Sequence, residues 1–128
     1  MKYLLDTHSL IWFIGGDPQL SAHARQLMDD EESELFISIA SLWEMAIKFS
    51  LGKLNLSQPF EEMFPAQLEG NSIEILGITT DHLKTVSTLP FHHRDPFDRL
   101  IIAQAQVEQL PIIGTDTTFD NYGVKREW

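Results

Sequence analysis

Four acidic residues stand where a carboxylate can do chemistry: Asp6, Glu44, Asp98 and Asp116. Asp6 ends the apolar run Lys2-Tyr3-Leu4-Leu5, and Asp116 follows Pro111-Ile112-Ile113-Gly114-Thr115. Asp98 lies just inside a helix opened by Asp95-Pro96-Phe97, and Glu44 sits in the apolar-patterned stretch Ile39 to Leu51. Carboxylates brought close together cannot all stay ionised without a cation between them. The chain has no cysteine and no His-x-x-x-His pair, so a zinc site is disfavoured. An oxygen-only ligand set suits Mg²⁺ or Mn²⁺. Such an ion polarises a phosphoryl oxygen, lowers the pKa of a bound water and stabilises a leaving oxygen, and the matching reaction is phosphodiester hydrolysis.

The elements that must position these acids follow from pattern and punctuation. Lys2 to Leu5 reads as a short buried strand, and His8 to Ile14 as a helical turn or two that stops at Gly15-Gly16-Asp17-Pro18. Ser21 caps a helix to about Asp30, and Leu35 to Ser38 reads as a second strand. Leu42, Trp43, Ala46, Ile47 and Phe49 recur at helical spacing before Gly52, placing Glu44 about two turns into that helix. Pro59 to Leu68 reads as a helix, Ile73 to Leu76 as a strand, and Thr80 as the cap of a short helix ending before Pro90. Asp95 as N-cap and Pro96 at the first helical position open the clearest helix, which runs to about Gln109. Pro111 to Gly114 is a strand, and Val124-Lys125 a short last one.

Strands separated by helices imply an α/β chain with a parallel sheet covered on both faces. Ligands of such sheets sit outside the carboxyl ends of the strands, which is where Asp6 and Asp116 fall. Each acid also has a purely structural reading. Asp6 and Asp116 fit caps or turn starts, Asp98 complements a helix dipole, and Glu44 stands four residues before Lys48 for an i,i+4 ion pair. Asp95 is explained fully as an N-cap, and Asp120 competes with Asp116 for the fourth acidic place. Asp116 is preferred because it ends a strand. The hydroxyls of Thr7 and Thr115 orient a carboxylate or close a turn. Arg99 reads as a phosphate contact or a solvated helix residue. His8, His92 and His93 read as loop or helix-surface residues outside the site, and Trp12, Trp43 and Trp128 as packing or partner-interface residues.

Composition bounds the rest. With 128 residues, 43% apolar and 22% charged, the chain is expected to form one folded domain over residues 1–128. The absence of cysteine excludes a disulfide framework and suits the cytoplasm. No run is long and apolar enough to span a membrane, and the first residues do not read as a signal peptide. The net charge of −10 argues against a plain nucleic-acid-binding module. It is compatible with an enzyme that meets phosphates through metal ions, and with a basic partner segment.

The motifs around the four acids resemble those of PIN-domain nucleases, in the form seen in VapC-type toxins. Leu4-Leu5-Asp6-Thr7-His8 looks like the opening motif, and Ser41-Leu42-Trp43-Glu44-Met45-Ala46-Ile47-Lys48 the second. The stretch from His93 to Ala105, with Asp95-Pro96-Phe97-Asp98-Arg99 within it, resembles the third, and Thr115-Asp116-Thr117-Thr118-Phe119 the fourth. The order is that of the family, over nearly the whole chain. The resemblance implies a PIN-like three-layer α/β/α fold with a short, mostly parallel sheet. It implies a Mg²⁺- or Mn²⁺-dependent endoribonuclease, a toxin with an antitoxin partner that covers the site, and often a homodimer. It assigns metal binding and water activation to Asp6, Glu44, Asp98 and Asp116, with Asp6 and Asp98 as the foremost ligands. The antitoxin segment is expected to bring apolar anchors and a basic residue towards the acids.

Rival readings make different demands. A catalytically silent PIN-like module would hold RNA or a basic peptide without cutting it, yet no motif acid is missing. A haloacid-dehalogenase-type phosphatase wants a second aspartate where this chain has His8. A phosphoacceptor receiver wants paired early acids and a late strand-end lysine, neither of which is present.

Overall fold

Strand β1 (Lys2–Leu5) lies at the centre of the sheet because its residues are apolar on both sides. In the computed structural model, which describes residues 1–128, Tyr3 and Leu5 face one apolar cluster and Leu4 the other. Alternate side chains of a strand point to opposite faces, so a run without polar alternation is stable only when both faces are covered. The neighbouring strands β2 (Glu34–Ser38) and β4 (Ile112–Ile113) repeat the division. Leu35, Ile37 and Ile113 join the Tyr3 side, and Phe36 and Ile112 the Leu4 side.

The element order is β1, α1 (Thr7–Ile14), α2 (Ala22–Asp29), β2, α3 (Ile39–Ser50), α4 (Phe60–Gly70), β3 (Ile73–Leu76), α5 (Thr80–Ser87), α6 (Pro96–Glu108), β4, a 3₁₀ helix (Thr117–Tyr122) and β5 (Arg126–Glu127). All five strands are parallel, in the order β3-β2-β1-β4-β5. Leu10, Met28, Met45, Phe64 and Leu68 of α1 to α4, with Leu20 from the loop before α2, cover one face. Ile101, Ile102 and Ala105 of α6 cover the other, with Phe119 and Tyr122 of the 3₁₀ helix. The result is the expected three-layer α/β/α arrangement, with a wholly parallel sheet.

The strand order reverses between β1 and β4. From β1 the chain steps outward through β2 to β3, then returns to the other side of β1 to lay down β4 and β5. Connections leaving β1 and β4 therefore diverge, and a crevice opens at the carboxyl ends of these two strands. Asp6 follows β1 directly, and Asp116 lies three residues after β4.

Three sequence expectations are corrected in detail. Thr79, not Thr80, caps α5: its hydroxyl accepts from the His82 N–H at 3.3 Å, and His82 Nδ1 accepts in return from the Thr79 N–H at 3.0 Å. A histidine thus completes a reciprocal cap usually associated with Glu or Gln. The last strand is Arg126–Glu127 rather than Val124-Lys125, because those two residues pair with Ile112 and Ile113. The strand read over Pro111 to Gly114 narrows to Ile112–Ile113.

Candidate active site

Each of the four acids is placed by the start or body of a helix. Asp6 is the N-cap of α1 and accepts from the Thr7 N–H through Oδ1 at 2.8 Å. Asp116 caps the 3₁₀ helix in the same way, accepting from the Thr118 N–H at 2.9 Å. The capping readings of both acids are thus correct, and capping occupies one oxygen of each. Asp98 lies in the first turn of α6, whose N-cap is Asp95 as expected. Asp95 accepts from the N–H groups of Phe97 and Asp98 at 2.8 and 3.2 Å. Glu44 projects from α3 and is 7% exposed.

These side chains lie close enough to perturb one another. Burial pushes the Asp6 carboxyl up to about 6; the Thr7 N–H and the charge of His8 oppose the rise, and the charges of Glu44 and Asp116 add to it. Burial likewise pushes Asp98 up to about 7, helped by the charges of Asp6, Asp95 and Glu44 and opposed by His93. At Asp116 burial again raises the pKa, but hydrogen bonds from Thr118 and His93 together outweigh it and hold the carboxyl below its ordinary value.

Glu44 is held at both oxygens. The Thr7 hydroxyl donates to Oε1 at 3.0 Å and lies 2.9 Å from Ser41 Oγ, while Lys48 Nζ donates to Oε2 at 3.0 Å. The i,i+4 ion pair and a place among the acids are therefore compatible. Gly114 shapes the wall behind Asp6. A Cβ at this position would sit 3.0 Å from the Asp6 Cβ and 3.4 Å from its Oδ2, so any larger residue would crowd the Asp6 carboxylate.

Two residues depart from their sequence reading. His93, read as lying outside the site, stands at its centre: Nε2 is 3.1 Å from Asp98 Oδ2 and 2.9 Å from Asp116 Oδ2. Its only sequence signal was its place at the head of the third motif. Arg99, read as a phosphate contact or a solvated residue, is 6% exposed and turned inward. It donates to the carbonyls of Leu89, Pro90 and His93 at 2.9–3.2 Å, and its guanidinium lies 4.0 Å from the centre of the Phe91 ring. Arg99 thereby fixes the loop that carries His93. Replacing it with Met leaves these carbonyls without their charged donor, and we expect a loss of about 2–4 kcal/mol in urea unfolding.

The remaining candidates fall away from the acids or serve structure. Asp120 pairs with Arg126 at 3.0 Å and makes no bond to the other acids. His92 packs edge-on against Tyr122, and Trp12 packs between His8 and Trp128. Trp43 is 61% exposed and meets Phe97 edge-on, beside Asp98.

The sequence matches the family model of the PIN domain over residues 3–125. No curated protein matches it in sequence. Among solved structures, the chain is similar to VapBC2 from Rickettsia felis bound to a promoter DNA fragment. That likeness has a TM-score of 0.73 at 17% identity, covering 99% of this chain and 98% of that one. It is also similar to a toxin–antitoxin complex from Klebsiella pneumoniae (TM-score 0.61, 21% identity, 90% and 87% covered). A third likeness is to VapBC-1 from nontypeable Haemophilus influenzae (TM-score 0.66, 20% identity, 99% and 97% covered). At these identities the solved structures speak for the fold, and the family model, matched over nearly the whole sequence, places the chain in the PIN-domain family.

Proposed function

We propose that the chain is a single-domain, Mg²⁺- or Mn²⁺-dependent endoribonuclease and the toxin of a toxin–antitoxin pair. The observation that carries this reading is the set of carboxylates at the β1–β4 crevice, two of them raised in pKa and none of the aspartates matched by a lysine or arginine. Asp6 Oδ2 meets no hydrogen-bond donor, and the Asp98 carboxylate has only the His93 ring beside it, at 3.1 Å. Buried oxygens lacking a fixed positive partner fit a hard divalent cation.

Asp6, Asp98 and Asp116 would hold the ion, and Glu44 would act through water, since Thr7 and Lys48 already engage its oxygens. A bound Mg²⁺ or Mn²⁺ supplies the positive charge that polarises a phosphoryl oxygen and eases deprotonation of water. Glu44, held in position by Thr7 and Lys48, is suited to take that proton. The carboxylates would otherwise repel an RNA backbone, so substrate binding and metal loading are linked.

The partner reading is supported by the toxin–antitoxin and VapBC complexes that share the fold. An apolar groove bordered by Ile39, Trp43, Phe60, Phe64, Leu68 and Ile75 adjoins the acids through the contact of Trp43 with Phe97. An antitoxin segment with apolar anchors here and a basic residue at the acids would cover the site. Action in the cytoplasm, commonly as a homodimer, belongs to the same proposal; no helix is long and apolar enough to cross a membrane.

The purified chain, incubated with a mixed RNA pool, is expected to cut it with Mg²⁺ or Mn²⁺ and to stop on addition of EDTA. Binding of RNA or a basic peptide with no cleavage under either metal would instead mark a silent binding module.

A further inference from the structure

We propose that His93 is a positioning residue that keeps the cation's seat: its Nε2–H, bonded to Asp116 and 3.1 Å from Asp98, fills that seat in the metal-free protein and must be given up when a divalent ion loads. The inference rests on the metal-dependent reading above.

The hydrogen-bond pattern settles which ring nitrogen carries the proton. The Asp95 N–H donates to His93 Nδ1 at 3.2 Å, so Nδ1 presents its lone pair. Nε2 faces two carboxylate oxygens, at 2.9 and 3.1 Å, which are both acceptors. A neutral ring satisfies its bonds to the Asp95 N–H and to Asp116 only with its proton on Nε2. Ligation of a metal through Nε2 would need the opposite tautomer, which would point the Nδ1–H at the Asp95 N–H. That N–H belongs to the N-cap residue of α6 and is fixed by the helix start. With the loop as it stands, the ring competes with the cation and does not ligate it.

The ring is built into place. The His93 N–H donates to Tyr122 Oη at 2.7 Å, the His93 carbonyl accepts from Arg99, and the ring stacks near Phe119 with centroids 6.0 Å apart. The main chain is held on both sides, so the ring leaves its seat by side-chain rotation alone. Until then the ring sits between two acidic side chains, whose oxygens and Nε2 lie within 4.8 Å of one another.

The test is Mn²⁺ affinity, followed by electron paramagnetic resonance or calorimetry on the metal-stripped chain. His93→Phe keeps an aromatic ring on Phe119 and removes the donor; it is expected to bind Mn²⁺ about tenfold more tightly, since the charge-assisted bond to Asp116 no longer competes. His93→Gln restores a donor at similar reach and is expected to stay within about threefold of the parent. A fall or no change in affinity in His93→Phe overturns the proposal while leaving the metal site standing. Absence of any Asp6-dependent Mn²⁺ binding in the parent overturns both. An independent readout is the long-range ¹H–¹⁵N spectrum of the metal-free chain at mildly alkaline pH. The Nε2–H tautomer is expected at His93, and an Nδ1–H tautomer refutes the arrangement.

Discussion

Asp98→Asn is expected to leave the chain folded and to lower metal-dependent RNA cleavage by about 10³-fold. The substitution keeps the size of the side chain, and the bonds that begin α6 use the Asp95 carboxylate and the backbone N–H groups of Phe97 and Asp98, so the start of α6 is preserved. What it removes is the negative charge that the proposed site uses to hold the ion. Asp6→Asn should act alike, because its amide oxygen still accepts the Thr7 N–H while the free Oδ2 is lost. Asp120→Asn is the internal control: its carboxylate pairs with Arg126, and cleavage should change less than about twofold. Cleavage assays with matched circular dichroism spectra decide the matter. Activity surviving in both Asp98→Asn and Asp6→Asn would remove these acids from the mechanism.

The same acids should cost stability when no metal is present, and Asp6→Asn is expected to unfold later than the parent at about pH 7.5 in EDTA. Asp6 titrates at an ordinary 3.8 when unfolded and at about 6 in the fold, chiefly because burial disfavours its charge. The folded state therefore holds the proton more tightly. Stability declines as pH rises from about 4 to about 6, and the deficit is constant above that. A shift of this size corresponds to about 3 kcal/mol, or roughly 10 °C in melting temperature for a chain of this length. The advantage of Asp6→Asn should vanish near pH 4, where the parent carboxyl is protonated in the fold. Mn²⁺ should raise the melting temperature of the parent at about pH 7.5 and not that of the variant. A variant less stable than the parent at neutral pH would mean that Asp6 is a structural cap without strain. The trade of stability for a concentrated negative charge is what a preorganised cation site requires.

His93 and Arg99 show where reading from sequence stops. A histidine in a loop and an arginine on a helix carry no periodic signal, and their environments depend on residues far along the chain. His93 meets Asp116 across 23 positions and Tyr122 across 29. Arg99 turns inward because the loop from Leu89 to His93 offers unpaired carbonyls beside it. The exchange of Thr79 for Thr80 as a cap has the same origin: the His82 ring, fully buried and bonded to Glu108 at 2.9 Å, selects which threonine begins α5.

Local chemistry sufficed for most of the scaffold. Strands without polar alternation called for a sheet covered on both faces, and Asp95-Pro96 opened α6 where capping and fixed φ predict. Asp6 and the Gly114-Thr115-Asp116 stretch fell at strand ends, which in a parallel sheet already puts them on one edge. The order of the strands was beyond that reading, because hydrophobic pattern says that a strand is buried and not which strand lies beside it. Only the assembled sheet sets β1 beside β4, opens the crevice between their ends, and brings the acids into one another's fields. The four acids were therefore legible as residues. Their raised pKa values, the grip of Thr7 and Lys48 on Glu44, and the imidazole lodged between Asp98 and Asp116 were decided by the tertiary structure, since burial and through-space charge do not exist in a linear chain.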